Sequence, residues 1–177
     1  MTDETTTQSD HDPIIDPAEF RRVLGHFPTG VTVVTSGTSS SPVGVAIGSF
    51  ASISLDPPLV GFFLGTNSSS GAVIKETGAF CVNVLNADQL DLCGVMASKA
   101  DDKFSGVSWT PSMASGCPVL PDIHAVIDCR LDQVVLLGDH ELIVGRVEHL
   151  DTVEGESGPM VFHKGRYGTF GSVGKDS

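Results

Sequence analysis

Most apolar positions fall in short β-branched or aromatic runs separated by Gly, Pro, Ser, Asn and Asp, the signature of strands divided by turns. The first segment differs, because its apolar residues recur at helical spacing. Asp16 is placed to cap, Pro17 suits the first helical position and Glu19 stands three residues after the cap. Phe20, Val23, Leu24 and Phe27 then share one face, which is predicted to bury against a sheet, and the helix ends near Phe27-Pro28-Thr29-Gly30. Strands follow at Val31–Thr35, Pro42–Ile47 and Leu59–Leu64.

Beyond these, a short helix over Ala72–Glu76 is capped by Asn67 or Ser68, and a strand is predicted at Ala79–Leu85. A helix over Ala87–Ser98 leads into an irregular segment from Lys99 to Leu120, in which Trp109 is read as a packing residue. The apolar run Ile123–Leu137 breaks at Gly138-Asp139 and His140–Leu150 runs back, which makes a hairpin with a tight turn. Met160–His163 and Arg166–Phe170 supply a last strand or pair. Hairpin-connected strands with few helices between them predict a mainly β fold, an antiparallel β-barrel rather than a doubly wound parallel sheet.

Size and charge narrow the function classes. A chain of 177 residues is about one domain, placed here at residues 15–171 between an acidic disordered tail (1–14) and a short C-terminal tail (172–177). The formal charge of −12 argues against nucleic-acid binding, which depends on Lys and Arg neutralising phosphates. No basic segment precedes an apolar stretch as in a signal peptide, and no apolar run reaches about 18 residues, so no membrane association is expected and a cytoplasmic location is. Cys81, Cys93, Cys117 and Cys129 lack metal or disulfide spacing, and the six histidines lack ligand spacing, so no metal is expected. The dinucleotide, P-loop, serine-hydrolase and zincin motifs are all missing from the sequence.

Two clusters of glycines and hydroxyls carry the candidate chemistry. Ser49, Ser52 and Ser54 surround Phe50, and Thr66-Asn67-Ser68-Ser69-Ser70 opens the short helix. A phosphate requires convergent donors from backbone N–H groups and short hydroxyls, which a helix start reinforces. The same residues also serve as ordinary turn and cap residues. Lys75, beyond the second cluster, is read as a solvated charge.

Order along the chain adds what neither cluster gives alone. The elements are Phe27-Pro28-Thr29-Gly30-Val31-Thr32-Val33-Val34-Thr35, then Ser49-Phe50-x-Ser52-x-Ser54-Leu55-Asp56-Pro57-Pro58, Phe80-x-Val82-Asn83-Val84-Leu85, Asp102-Lys103-Phe104, Gly138-Asp139-His140 and His163-x-Gly165-x-Tyr167. From Asp16 to Phe170 this resembles the short-chain flavin reductase family, the NAD(P)H:flavin oxidoreductase components of two-component monooxygenases.

The resemblance implies an FMN-binding split barrel of antiparallel Greek-key type, working as a homodimer with FMN or FAD near the subunit interface. It implies that the backbone of Ala46, Ile47, Gly48, Ser49 and Phe50, with Ala51, edges the flavin ring and its side chain, that Ser49, Ser52 and the Ser68, Ser69 and Ser70 group reach the phosphate with Lys103 and Phe104, and that Thr29, Gly30 and Ser54 lie close to the flavin. His140 matches a position on the nicotinamide side, and Tyr167 shapes the same pocket. Where many members carry Asn before the Ser-Phe pair this chain has Gly48, which gives up a donor and lets backbone approach closely. The implied reaction is hydride transfer from NADH or NADPH to flavin, followed by delivery to a separate monooxygenase component. Alternatives on the same barrel are a flavin-binding module without nicotinamide turnover and a flavin-dependent reductase of another acceptor, such as a corrinoid.

Overall fold

Residues 15–153 and 157–171 are described in the computed structural model, and the two predicted tails, 1–14 and 172–177, lie outside them. In chain order the elements are α1 (Pro17–Leu24), β1 (Thr29–Gly30), β2 (Thr32–Thr38), β3 (Ser41–Ile47), β4 (Ala51–Leu55), β5 (Pro58–Gly65), α2 (Ser69–Thr77), β6 (Ala79–Val84) and α3 (Leu90–Ala97). They continue as β7 (Thr110–Pro111), β8 (Pro118–Val119), β9 (Ala125–Leu137), β10 (His140–Thr152), β11 (Met160–His163) and β12 (Arg166–Thr169).

Every strand pair is antiparallel. Seven strands form one sheet in the order β3-β2-β6-β9-β10-β5-β4, β1-β11-β12 form a second, and β7 pairs with β8. Ile47 of β3 and Val60 and Phe62 of β5 lie near opposite ends of the large sheet yet share one core with Val34, Phe80, Val82, Cys129 and Ile143, so the sheet wraps around its own interior. Ile74 of α2 packs into the same core. Alternation along β2 sends Val34 inward and Val33 outward, where α3 and the segment after it cover it through Met96, Phe104 and Leu120. All four cysteines are buried and free.

Asp128 of β9 is a buried carboxylate that braces the segment before β8. It accepts the Ala114 and Ser115 N–H groups at 2.8 and 3.1 Å and the Ser115 hydroxyl. Burial alone would raise its pKa, but the Ser115 and Ser112 hydroxyls and the two amides outweigh it and hold the group below the usual carboxylate range.

Four local expectations change. The predicted turn cluster at Ser52 and Ser54 is strand β4, because pairing with β5 satisfies its backbone. The second long helix starts at Leu90 and not Ala87, since the Asn86 side chain accepts the Asp88 N–H and builds a turn first. Lys75 is ion-paired with Glu141 at 2.8 Å rather than simply solvated.

The largest change concerns α1. Asp16 caps it as expected, but none of its residues is buried, and Phe20, Val23, Leu24 and Phe27 are 53, 50, 55 and 74 % exposed. The opposite face does the docking: Arg21, Arg22, Gly25 and His26 border Lys164 and Gly165 of the β11–β12 turn, and the Gly25 carbonyl accepts the Lys164 N–H at 2.9 Å. The helix therefore turns its polar side toward this chain and its apolar stripe outward. The stripe was legible in the sequence; its direction was set by the hairpin contact.

Candidate flavin site

The site residues gather along β3. At its middle, Gly44 has no side chain to hold off its neighbours, and a Cβ there would lie 2.7 Å from Met96 Sδ and 3.3 Å from the Phe104 ring. This close approach lets the Lys103 ammonium donate to the Gly44 carbonyl at 3.2 Å and to the Met96 carbonyl at 2.8 Å. The buried Ser70 hydroxyl donates to the same Gly44 carbonyl at 3.5 Å. Ser70, Lys103 and Phe104 are thus brought together although β6 and α3 lie between them in sequence.

Lys103 forms no ion pair among the described residues, and burial pushes its pKa below the ordinary lysine value. An ammonium held by carbonyls alone is an incomplete electrostatic arrangement that an anion completes. Nearby, the Ser68 hydroxyl caps α2 by accepting the Gly71 N–H at 3.1 Å, while Ser69 at the first helical position is exposed. Of the two predicted caps, Ser68 serves and Asn67 does not.

At the end of β3 lies a slot of about 170 Å³ lined by Val31, Ala46, Ile47, Gly48, Ala97, Phe162 and Tyr167. Thr29 closes against it, since a Cβ on Gly48 would lie 2.9 Å from Thr29 Oγ1 and 4.0 Å from the Gly30 carbonyl oxygen. Tyr167 leans on Phe162, their ring centres 5.0 Å apart at 57°. The adjacent Cys93 thiol and partial burial push the Tyr167 hydroxyl up to about 12, so it remains a neutral donor at physiological pH. Four residues of extended strand, roughly 13 Å, separate Gly48 from Gly44. An apolar slot for a flat ring at one end and a desolvated cation with hydroxyls at the other fit a flavin mononucleotide along β3.

The other predicted residues stand apart from this line. Expected to reach the phosphate, the Ser49 hydroxyl is instead engaged with β5, accepting the Phe63 N–H at 3.0 Å and tying the end of β3 to β5. Phe50 packs against the interior core, and Ala51, Ser52 and Ser54 lie on β4 at the sheet edge. His140 opens β10, with Nδ1 2.7 Å from Asp139 Oδ1, a contact that holds the Asp139 carboxyl below its usual range. The Asp139 carbonyl accepts the Thr66 N–H at 3.1 Å, which places His140 beside the loop leading into α2. The β3 slot and the cleft beside it are lined by Tyr167 and not by His140. Val31, Ala97 and Phe162 line the slot without having been singled out, because ordinary apolar residues carry no signal of a ligand in sequence.

Residues 24–171 match the family model described as the flavin reductase like domain. The chain belongs to that family. Relatives within the flavin reductase family include a flavin reductase from Pseudomonas putida, 44 % identical over 160 residues that cover 90 % of this chain and 93 % of the relative. The reductase subunit HsaB of a flavin-dependent monooxygenase from Rhodococcus jostii is 46 % identical, covering 86 % of this chain and 77 % of that one. Among solved structures, the NADH:FAD oxidoreductase of Streptomyces globisporus superposes with a TM-score of 0.83 at 34 % identity, covering 91 % of this chain and 96 % of that one. The mainly β, antiparallel fold read from the flavin reductase resemblance is the fold observed. Among the described residues no helix is long and apolar enough to cross a membrane.

Proposed function

We propose that this chain is an NAD(P)H:flavin oxidoreductase that supplies reduced FMN or FAD to a separate monooxygenase. The observation that carries the reading is the pairing along β3 of an apolar slot with the half-buried Lys103, whose ammonium has only carbonyl partners. Family membership and relatives named as reductases support it. Bound flavin supplies the acceptor for hydride from reduced nicotinamide and carries the electrons onward.

The chain's own part is binding and orientation, which accounts for the lack of a nucleophile or acid–base pair. Lys103, Phe104 and the Ser68, Ser69 and Ser70 group hold the phosphate, and the backbone from Ala46 to Ala51, with Thr29 and Gly30, borders the ring. Ser49 acts through its backbone, its hydroxyl being held by Phe63. From β4, Ser52 is assigned to the phosphate and Ser54 to the edge of the ring. His140 receives the nicotinamide, and Tyr167 closes the slot as a neutral hydroxyl.

Two further assignments belong to this reading. The exposed apolar stripe of α1 supports a homodimer, and a cytoplasmic location goes with the same reading. The decisive assay is NADH and NADPH oxidation by purified protein with FMN or FAD added. Flavin-dependent oxidation is expected, and inactivity with both nicotinamides and both flavins overturns the proposal.

A further inference from the structure

Tyr167 stands between two cavities. It lines the β3 slot of about 170 Å³, and it also lines a cleft of about 600 Å³ bordered by Pro28, Val161, His163 and Arg166. The position of its ring therefore sets the width of the slot on that side. Yet Tyr167 is 41 % exposed, and an exposed phenol is free to turn its hydroxyl to water unless a group inside the fold takes it.

The strand register places such a group behind it. Tyr167 of β12 faces Phe162 of β11, and Phe162 shares a face of β11 with Met160, two residues earlier. Met160 is buried in the core that contains Cys93 of α3, and Ala97, one helical turn beyond Cys93, lines the slot with Phe162 and Tyr167. The face of the hairpin that carries Tyr167 thus packs on the face of α3 that carries Cys93. Cys93 is fully buried, and the Tyr167 hydroxyl donates to its thiol, the main cause of the raised Tyr167 pKa. Tyr167 is held at both ends, its ring by Phe162 with centres 5.0 Å apart and its hydroxyl by Cys93.

From this arrangement we infer that Cys93 is a positioning residue for ring binding: it anchors the Tyr167 hydroxyl beneath the slot and so fixes the Tyr167 ring as one wall of it. Cys93 does not itself line the slot and acts through Tyr167. A cysteine serving only as a small hydrophobe is better replaced by Ala than by Ser, because a buried hydroxyl without a partner is costly. An anchoring cysteine is better replaced by Ser, whose oxygen accepts the phenol. The ligand named here, the flavin ring, rests on the reductase reading, whereas the contact does not.

The experiment compares full-length wild type with Cys93→Ala, Cys93→Ser and Tyr167→Phe. Tyr167 is the one tyrosine of the chain, so tyrosinate absorbance reports it alone. After a rapid jump to about pH 11, read before unfolding, wild type and Cys93→Ser are expected to stay mostly un-ionised, whereas Cys93→Ala ionises like a free tyrosine, whose pKa is near 10. Riboflavin affinity, read by flavin fluorescence, is expected to fall roughly three- to tenfold in Cys93→Ala and in Tyr167→Phe, as the loss of one neutral hydrogen bond does, and to return in Cys93→Ser. The Cys93→Ala, Tyr167→Phe double variant should lose no more than either single one, since both remove the same contact. Early ionisation in wild type, unchanged riboflavin affinity in Cys93→Ala and Tyr167→Phe, or weaker binding by Cys93→Ser than by Cys93→Ala overturns the inference. Should Cys93→Ala not fold, Tyr167→Phe and Cys93→Ser decide by the same readings. A wild type that oxidises NADH with flavin while Tyr167 ionises early overturns this inference and leaves the reductase reading standing. One that binds no riboflavin overturns the flavin reading, and late Tyr167 ionisation that depends on Cys93 then upholds the anchor.

Discussion

The Lys103 ammonium donates to the Met96 carbonyl at 2.8 Å, so the last turn of α3 holds a cation over the middle of β3. Helix ends carry partial negative charge on their free carbonyls, which offsets part of the cost of burying the cation.

Replacing Lys103 by Gln is expected to weaken FMN binding about 10- to 100-fold, the equivalent of a charge-assisted hydrogen bond worth about 1.5–3 kcal/mol. Riboflavin, which lacks the phosphate, is the control and should bind both proteins alike in a flavin-fluorescence titration. Equal losses for both ligands would make Lys103 a packing residue only.

His140 stands exposed at the hairpin beside Asp139, away from the β3 slot. His140→Ala is expected to raise the KM for reduced nicotinamide about tenfold, as the loss of one hydrogen bond does, while the flavin KM stays within about twofold. Steady-state kinetics with each substrate varied in turn checks this. Unchanged constants for both would remove His140 from the site.

The expected association through α1 gives a separable effect. Leu24 is 55 % exposed in the single chain, so Leu24→Glu costs the isolated fold little. In a two-fold interface the change is counted twice, and two leucines at about 1.5 kcal/mol each amount to a roughly hundredfold weaker dimer. Sedimentation equilibrium should show a shift toward monomer with an unaltered circular dichroism spectrum. A monomeric wild type would sink the dimer assignment.

Acid stability turns on Asp128. Its folded-state pKa lies below the unfolded value near 3.9, so its stabilisation is complete above about pH 4 and is lost as the pH falls through the folded value. Asp128→Asn sets an amide donor against the Ala114 and Ser115 donors and is expected to cost about 1–3 kcal/mol at neutral pH. The gap in Tm between variant and wild type should narrow on acidification below about pH 4. A gap independent of pH would contradict the role given to this carboxylate.

Much of this is legible in the sequence. Runs such as Val31–Thr35 and Ile123–Leu137 fix strands by composition, and Gly138-Asp139 marks its hairpin through turn chemistry. The family order of their motifs groups Ser68, Ser70, Lys103 and Phe104, and the last three meet around Gly44. Periodicity identified the apolar face of α1 but not what that face touches, since an amphipathic pattern contains no information about the neighbour. Arg21 and Lys164 lie at opposite ends of the chain and meet only when the hairpin docks on the helix, so no local pattern announces their contact.

The buried thiols acquire a second meaning beside the proposed chemistry. A protein that releases reduced flavin in air works next to hydrogen peroxide, which attacks thiolates and exposed thioethers. Burial raises the pKa of Cys81, Cys93 and Cys117, and pushes Cys129 up to about 12, so at neutral pH each is held as an inert thiol. Met96 and Met160 are shielded as well, whereas Met113 is 84 % exposed and does not line the β3 slot. Among the described residues, oxidative wear from the enzyme's own by-product therefore falls first on a methionine whose sulfoxide leaves the flavin site untouched.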